Sequence, residues 1–371
     1  MVKKFTSLGL MSGTSMDGID ASIIESDGNQ KYQWKLDKYA KFNDVLRDKL
    51  LKLRDKILFP KDLKKFDKEI LVLEKEITIR HAEFINDILQ EFNSTIDIIG
   101  FHGQTIYHSS KNKISKQIGD GKLLSQLIKN KVVYNFREND IINGGEGAPL
   151  IPAFHKLITD FKKIQKPVCF LNIGGISNLT LVIEKNLDSI ESKDLGPGNC
   201  LIDEWFRYNQ KGQFDKDGNI ASSGKINQLV LNQALDTYDN KYLNKKKSFD
   251  VKDFDINFLR GLSFEDGVST ITEFTSKIIS DEILTLTKNF HRDNIKVILC
   301  GGGRKNKHLI RTIKEKTKLN FCSIDKYNIN GDFIESQGFA YLAIRSYLNL
   351  PITFPKTTGC IKPSTGGILV E

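Results

Sequence analysis

The chain has 371 residues, 39% apolar and 27% charged, the balance of an ordinary globular protein with room for two full cores. Its formal charge of +9 is diffuse; the densest basic clusters, 61–68 and 245–247, lack interleaved aromatics or a reader motif, so no nucleic-acid partner is expected. No run is long and apolar enough to span a membrane, the start carries no signal-peptide pattern, and five scattered cysteines without C-x-x-C read as free thiols of a cytoplasmic protein.

The first apolar run starts at Phe5 and breaks at Ser12-Gly13-Thr14-Ser15. A second run, Ile19 to Ile24, reads as a strand, and Asp27-Gly28-Asn29 marks a hairpin turn. Helical spacing follows at Val45, Leu46, Leu50, Leu53 and Ile57 and stops at Pro60. A longer amphipathic helix carries Leu63, Phe66, Ile70, Leu73, Ile77 and Phe84 inward, with His81 as a surface or partly buried structural histidine. The next strand, Ile96 to Phe101, leads into a loop His102-Gly103-Gln104-Thr105, and Lys131 to Phe136 is a further strand. Gly144 to Pro149 must bend sharply.

Val168 to Leu171 repeats the opening layout: an apolar strand, a turn Asn172-Ile173-Gly174-Gly175, then a second apolar run. Asp194-Leu195-Gly196-Pro197-Gly198-Asn199 reads as a loop into a helix that Asn199 caps. A polar stretch, 211–252, separates this from a long helix, Phe264 to Lys288. Ile295 to Cys300 is the fourth strand that runs into a glycine turn, Gly301-Gly302-Gly303, and the last strong helix covers Phe333 to Leu348. Strands that alternate with helices give the α/β class, and the partial duplication suggests two related lobes. The expected division is an N-terminal lobe 1–150, joined by 349–371, and a C-terminal lobe 151–348.

None of the glycine turns is a P-loop or a dinucleotide fingerprint. Each taken alone is either a tight structural turn or a cradle of backbone N–H groups for phosphate. Asp194 is either an Asx-turn residue or a general base on a rigid loop. His102 is either structural or a ligand contact. Six scattered histidines without H-E-x-x-H argue against a dedicated transition-metal site.

Taken together, the motifs are more specific. Gly9-Leu10-Met11-Ser12-Gly13-Thr14-Ser15-Met16-Asp17-Gly18-Ile19-Asp20 resembles the opening signature of the anhydro-N-acetylmuramic acid kinases. So do Phe101 to Thr105, the stretch GEGAPLIPAFH from Gly145, LNIGGISNLT from Leu171, DLGPGNCLID from Asp194 and CGGGRKN from Cys300, in the family's order. The resemblance implies two α/β lobes of the actin-like ATPase (ribonuclease H-like) type around a central ATP cleft. It implies a kinase that uses ATP and Mg²⁺ to convert 1,6-anhydro-N-acetylmuramic acid and water to N-acetylmuramic acid 6-phosphate in cell-wall recycling.

Carried over by motif, Asp194 is the base. Gly13, Thr14, Ser15, Met16, Asp17, Gly18, Ile19 and Asp20 hold the ATP phosphates, faced by Gly174 and Gly175, and Gly301, Gly302 and Gly303 approach the adenosine. His102, Gln104, Arg137 and Glu335 are sugar-side residues, with Arg137 a chemically sensible partner for the lactyl carboxylate. Three departures stand out. Met11 replaces the superfamily's usual acid, so the metal-side residue is unassigned; Glu146 replaces the family's usual glutamine; and 244–258 looks diverged. A homodimer is the default expectation. Two alternatives stay open: an acyl-phosphate kinase of the acetate or butyrate type, and a non-catalytic ATP-dependent binding protein.

Overall fold

The computed structural model describes residues 3–242 and 248–371, so the basic cluster 245–247 lies outside it. Two compact units divide the chain. Unit 1 comprises Met1–Ile164, Lys185–Ile190 and Phe333–Glu371; unit 2 comprises Gln165–Glu184 and Glu191–Asp332.

In unit 1, strands β1 (Phe5–Ser12), β2 (Gly18–Ser26) and β3 (Tyr32–Lys41) form an antiparallel meander. Helices α1 (Asp44–Lys56), α2 (Pro60–Lys65) and α3 (Asp67–Glu91) then carry the chain to β4 (Ile98–Ser109), which pairs parallel to β1. The expected single long helix is two, because Pro60 occupies the first turn of α2 and Phe66 ends it. After β5 (Ile114–Ile118) and α4 (Gly121–Ile128), β6 (Val132–Tyr134) adds parallel to β4. Helices α5 (Glu138–Ile142) and α6 (Pro152–Phe161) complete this part of the unit.

Unit 2 repeats the plan. Strands β7 (Val168–Ile173), β8 (Ile176–Val182) and β9 (Glu191–Pro197) form a second antiparallel meander. Helices α7 (Cys200–Tyr208), α8 (Gln228–Tyr242) and α9 (Phe264–Thr287) lead to β10 (Lys296–Cys300), parallel to β7. Then α10 (Lys307–Thr317) leads to β11 (Asn320–Ser323), parallel to β10. The polar stretch 211–252 therefore contains a helix whose Leu231, Ala234 and Tyr238 join the core. The chain ends in unit 1 with α11 (Ile334–Tyr347), α12 (Pro355–Thr358) and β12 (Ile368–Val370), antiparallel to β6.

The two sheets match strand for strand once β5 and β12 are set aside: β3-β2-β1-β4-β6 in unit 1, with β12 beyond β6 and β5 paired to β4, and β9-β8-β7-β10-β11 in unit 2. Both are α/β units. In unit 1 the apolar face packs on α1 and α3 through Leu10, Ile23, Phe42, Leu50, Ile77 and Phe101. In unit 2 Leu171, Leu179, Leu299, Ile279 and Ile313 fill the space between the sheet, α9 and α10.

The division differs from the expected one. Helix α11 belongs to unit 1 because the sheet is built to receive it. Gly9 and Gly100 are direct partners in β1 and β4. A Cβ on Gly9 would lie 2.0 Å from Ser336 O, and one on Gly100 would lie 2.4 Å from Phe339 O. The helix backbone thus rests on the strands. Ser22 Oγ reaches Ser336 Oγ at 2.7 Å, and Tyr32 donates to Gln337 Oε1 at 2.7 Å.

Candidate active site

The first turn of unit 1, between β1 and β2, is held at both ends. Met16 N donates to Gly13 O at 3.2 Å, and the Met16 side chain is fully buried, with a left-handed backbone (φ 54°). Arg54 Nη1 of α1 donates to Thr14 O at 3.1 Å, and Ser15 Oγ donates to Asp17 Oδ1 at 2.6 Å. Asp17 O accepts from Phe42 N at 2.9 Å. Met16 and Ile19 serve the core, and Gly18 lies where a Cβ would meet Ala40 O at 2.4 Å. Gly13 and Thr14 are partly exposed, Ser15 and Asp17 exposed, and Asp20 sits half-buried opposite Met11. Arg54 gave no signal in the sequence beyond its place on an amphipathic helix.

The expected loop after Phe101 is strand. β4 continues through His102, Gly103 and Gln104 to Ser109, and the irregularity the glycine signals is a bulge, with Gly103 at φ 74°. The His102 ring packs on Phe339 at 4.7 Å and its Nδ1 donates to Gly103 O at 2.9 Å. Nε2 is then the acceptor for Arg137, whose Nε and Nη2 lie at 3.2 and 2.9 Å. Burial, with the Arg137 charge, holds His102 well below the usual imidazole range, so the ring is neutral. Arg137 Nη1 also donates to Gly147 O at 2.7 Å. Glu335, at the start of α11, is pushed up by burial and pulled back by Arg137. His102, Arg137 and Glu335 are thus brought together. Gln104 is separate: it has no exposed surface, and its Nε2 donates to Gly13 O at 3.0 Å. His81 is also fully buried, its Nδ1 against Ile77 O at 2.8 Å and its Nε2 3.4 Å from Ser12 Oγ, and burial pushes it down to about 4.

A cavity of about 520 Å³ opens in unit 1 near α3, β5 and the starts of α4 and α5. Glu74, Asp120 and Glu138 line it against Lys113 and Lys116. Both lysines have partners, Gly144 O at 2.7 Å and Glu74 at 3.1 Å, so this cavity is poorly suited to a carboxylate ligand.

In unit 2 the equivalent turn is Gly174-Gly175. Three backbone bonds hold it to the start of α7: Asn199 N to Gly174 O at 2.8 Å, and Gly198 N and Cys200 N to Gly175 O at 2.8 and 3.2 Å. Asn199 stands at the cap position but makes no side-chain cap bond. Asp194 is not on a loop: it lies within β9, paired with Asn178 of β8 beside a register shift. Gly196 and Pro197 signal a turn and so mask the end of the strand. Asp194 is buried, and Oδ2 accepts from Phe249 N at 2.9 Å. Asn172, Asn178 and Asp194 occupy facing positions on β7, β8 and β9, and the Oδ1 atoms of both asparagines are buried without a hydrogen-bond partner. On β10, Gly301 opens the last turn at φ 75°, and Arg304 Nη1 ties it back through Gly301 O at 2.9 Å and Asp332 at 2.5 Å.

The family model for anhydro-N-acetylmuramic acid kinase matches residues 5–371. The anhydro-N-acetylmuramic acid kinase of Pelagibacter ubique (strain HTCC1062) is 53% identical over 373 residues, covering 100% of both chains. That of Zymomonas mobilis is 36% identical over 367 residues, covering 97% of this chain and 98% of the relative. The chain belongs to the anhydro-N-acetylmuramic acid kinase family. It is a kinase, a phosphotransferase of cell-wall amino-sugar recycling that uses ATP. Among solved structures, the activator of the 2-hydroxyisocaproyl-CoA dehydratase from Clostridium difficile with bound ADPNP is a distant likeness, with TM-score 0.42 and 11% identity over 91% of this chain and 94% of that one.

Of the departures from the family pattern, Met11 is a buried strand residue, and Glu146 has its Oε2 buried without a hydrogen-bond partner while its N–H donates to Thr358 O at 2.9 Å. The diverged stretch 244–258 is described from Ser248 onward, where Phe249 holds the Asp194 carboxylate. Among the described residues no helix is long and apolar enough to cross a membrane, and no group of three or more His, Cys, Asp or Glu is placed to hold a metal ion.

Proposed function

We propose that the family's reaction runs on this chain with roles divided between the turns of its two units. Water adds at C1 of 1,6-anhydro-N-acetylmuramic acid and gives its proton to Asp194. The C1–O6 bond breaks, O6 takes the γ-phosphoryl group of ATP, and N-acetylmuramic acid 6-phosphate and ADP leave.

Three glycines support this reading most directly. A Cβ on Gly13 would find only Ser15 Oγ at 3.8 Å, one on Gly174 only Ile176 O at 3.5 Å, and one on Gly302 nothing within 4 Å. None of the three has a left-handed backbone. By contrast, Gly198 would meet Gly174 O at 2.3 Å, and Gly303 would meet Ile173 at 2.3 Å. Packing explains the second pair and leaves the first three unexplained. A ligand that approaches the backbone closely explains them: phosphates at Gly13 to Ser15 and at Gly174, and the adenosine at Gly302.

His102, Arg137 and Glu335 then serve the sugar. Hydrogen bonds to His102 Nε2 and Gly147 O hold the Arg137 guanidinium in place, a fixed planar cation that can pair with a carboxylate. That suits it to the lactyl carboxylate. For Mg²⁺, the buried amide oxygens of Asn172 and Asn178 beside Asp194 are the fitting oxygen donors, and the ion would neutralise charge on the transferring phosphoryl group. A cytoplasmic homodimer completes the proposal, consistent with five free thiols.

Incubation of the protein with ATP, Mg²⁺ and the anhydro sugar is expected to yield ADP and the sugar 6-phosphate in equal amounts. If ADP forms at one rate with and without the sugar, the proposal fails.

A further inference from the structure

Gln104 was expected among the sugar ligands, yet it has no exposed surface. Its carboxamide lies under the first turn of unit 1, and Nε2 donates to Gly13 O at 3.0 Å and approaches Thr105 O at 3.4 Å. Both partners are carbonyl oxygens. The amide can therefore sit only one way round, because turning it over would set oxygen against two oxygens. The atom left over is an acceptor, Oε1, and it is buried without a hydrogen-bond partner.

The strand is shaped to deliver this contact. Between Leu10↔Phe101 and Ser12↔Gln104, β4 advances one residue more than β1. The extra residue is absorbed at Gly103, where a Cβ would meet Ile118 O at 2.5 Å. Such a bulge re-aims the side chain that follows it. Here that side chain points at the carbonyl of the one glycine in the turn that local packing does not require.

We propose that Gln104 is a positioning residue for the phosphate turn. By holding Gly13 O inward it turns the Thr14 N–H, trans to that oxygen in the same peptide unit, outward toward the phosphate. Its bare Oε1 stands ready for a donor of the same turn once phosphate is bound. The inference rests on the reading of this turn as the phosphate site. It makes Gln104 a determinant of nucleotide affinity and not of sugar affinity.

The test is calorimetric titration of the full chain with a non-hydrolysable ATP analogue plus Mg²⁺, and separately with 1,6-anhydro-N-acetylmuramic acid. In Gln104→Leu, which keeps the volume and removes both polar atoms, nucleotide Kd is expected to rise about tenfold or more while sugar Kd stays within about twofold. Gln104→Glu is expected to show the same loss near neutral pH, with nucleotide affinity recovering as the pH is lowered. The protonated carboxyl again offers a donor to Gly13 O, and a merely structural role would give no such rescue. A raised sugar Kd with unchanged nucleotide Kd would make Gln104 a sugar ligand and overturn the proposal. A lowered Tm with both affinities unchanged would overturn it as well. Gly13→Ala separates the two levels. If it leaves nucleotide affinity untouched, the turn is not the phosphate site and both readings fall. If it weakens nucleotide while Gln104→Leu does not, the Gln104 inference alone is wrong.

Discussion

The two units share one strand order but build their first turns by different means. In unit 1 the turn is long, bears hydroxyls, and is fixed by side chains that arrive from elsewhere: Met16 from within, Arg54 from α1 and Gln104 from β4. In unit 2 it is a glycine pair fixed by three backbone bonds from the start of α7, with no side chain involved in those bonds. The long turn can present several N–H groups and hydroxyls, whereas the short one presents backbone alone. In the proposed mechanism unit 2 places its chemistry beside the turn, on the strands, where Asn172, Asn178 and Asp194 stand in a row. Duplication of a fold thus leaves room for one copy to specialise in holding and the other in proton transfer.

The largest expected effect separates those two jobs. Asp194→Asn should lower turnover about 10²- to 10⁴-fold while nucleotide affinity stays within about twofold, measured by steady-state kinetics and titration. A variant that keeps most of its activity would remove Asp194 from the role and with it the contrast between the units.

A second difference lies in the buried histidines. Unit 1 holds His81, His102 and His155 fully or nearly fully buried, whereas His291 and His308 of unit 2 are more exposed. Burial depresses His81 to about 4 and His155 to about 3, and His102 falls well below its usual value. Their stabilising contribution is complete above about pH 6.5, where the unfolded imidazoles are also neutral. As pH falls below that, the unfolded chain takes up protons that the fold refuses, and stability drops by up to about 1.4 kcal/mol per pH unit for each histidine. The partly buried carboxyls of Asp37 and Glu335 are shifted upward by desolvation and work in the opposite direction at lower pH. Hydrogen exchange at pH 5 should therefore show opening of β1 and β4 before β7 and β10. Opening of unit 2 first would contradict this account.

A smaller effect distinguishes two asparagines that look alike in sequence. Asn306 caps α10, its Oδ1 accepting from Leu309 N at 3.0 Å, while Asn199 makes no cap bond. Asn306→Ala should cost about 1 kcal/mol in denaturant titration, and Asn199→Ala less than about half of that.

Much of the architecture was legible because it is written locally. Apolar runs that break at glycine marked β1, β4, β7 and β10, and spacing marked α1, α3, α9 and α11. What could not be read depends on residues far apart in the chain. The seat made by Gly9 and Gly100 draws α11 into unit 1, and nothing near residue 334 announces it. The end of β9, from Asp194 to Pro197, reads as a loop because Gly196 and Pro197 signal a turn, and β4 reads short because Gly103 signals a turn when it is a bulge. At the site, motif matching singled out Asp194, the glycines and Arg137. It could not sort Gly18 and Gly303, required by packing, from Gly13 and Gly302, which are not, since that depends on which backbone lies a few ångströms away. Gln104 changed meaning for the same reason.

The most direct measurement compares Gly13→Ala, Gly174→Ala and Gly302→Ala. Each Cβ enters open or ordinary space in its own unit. All three variants should keep the wild-type Tm within a few degrees and bind a non-hydrolysable ATP analogue about tenfold or more weakly, a loss of about 1.4 kcal/mol. Unchanged affinity in all three, with stability intact, would contradict the claim that these turns are glycine for the sake of the nucleotide.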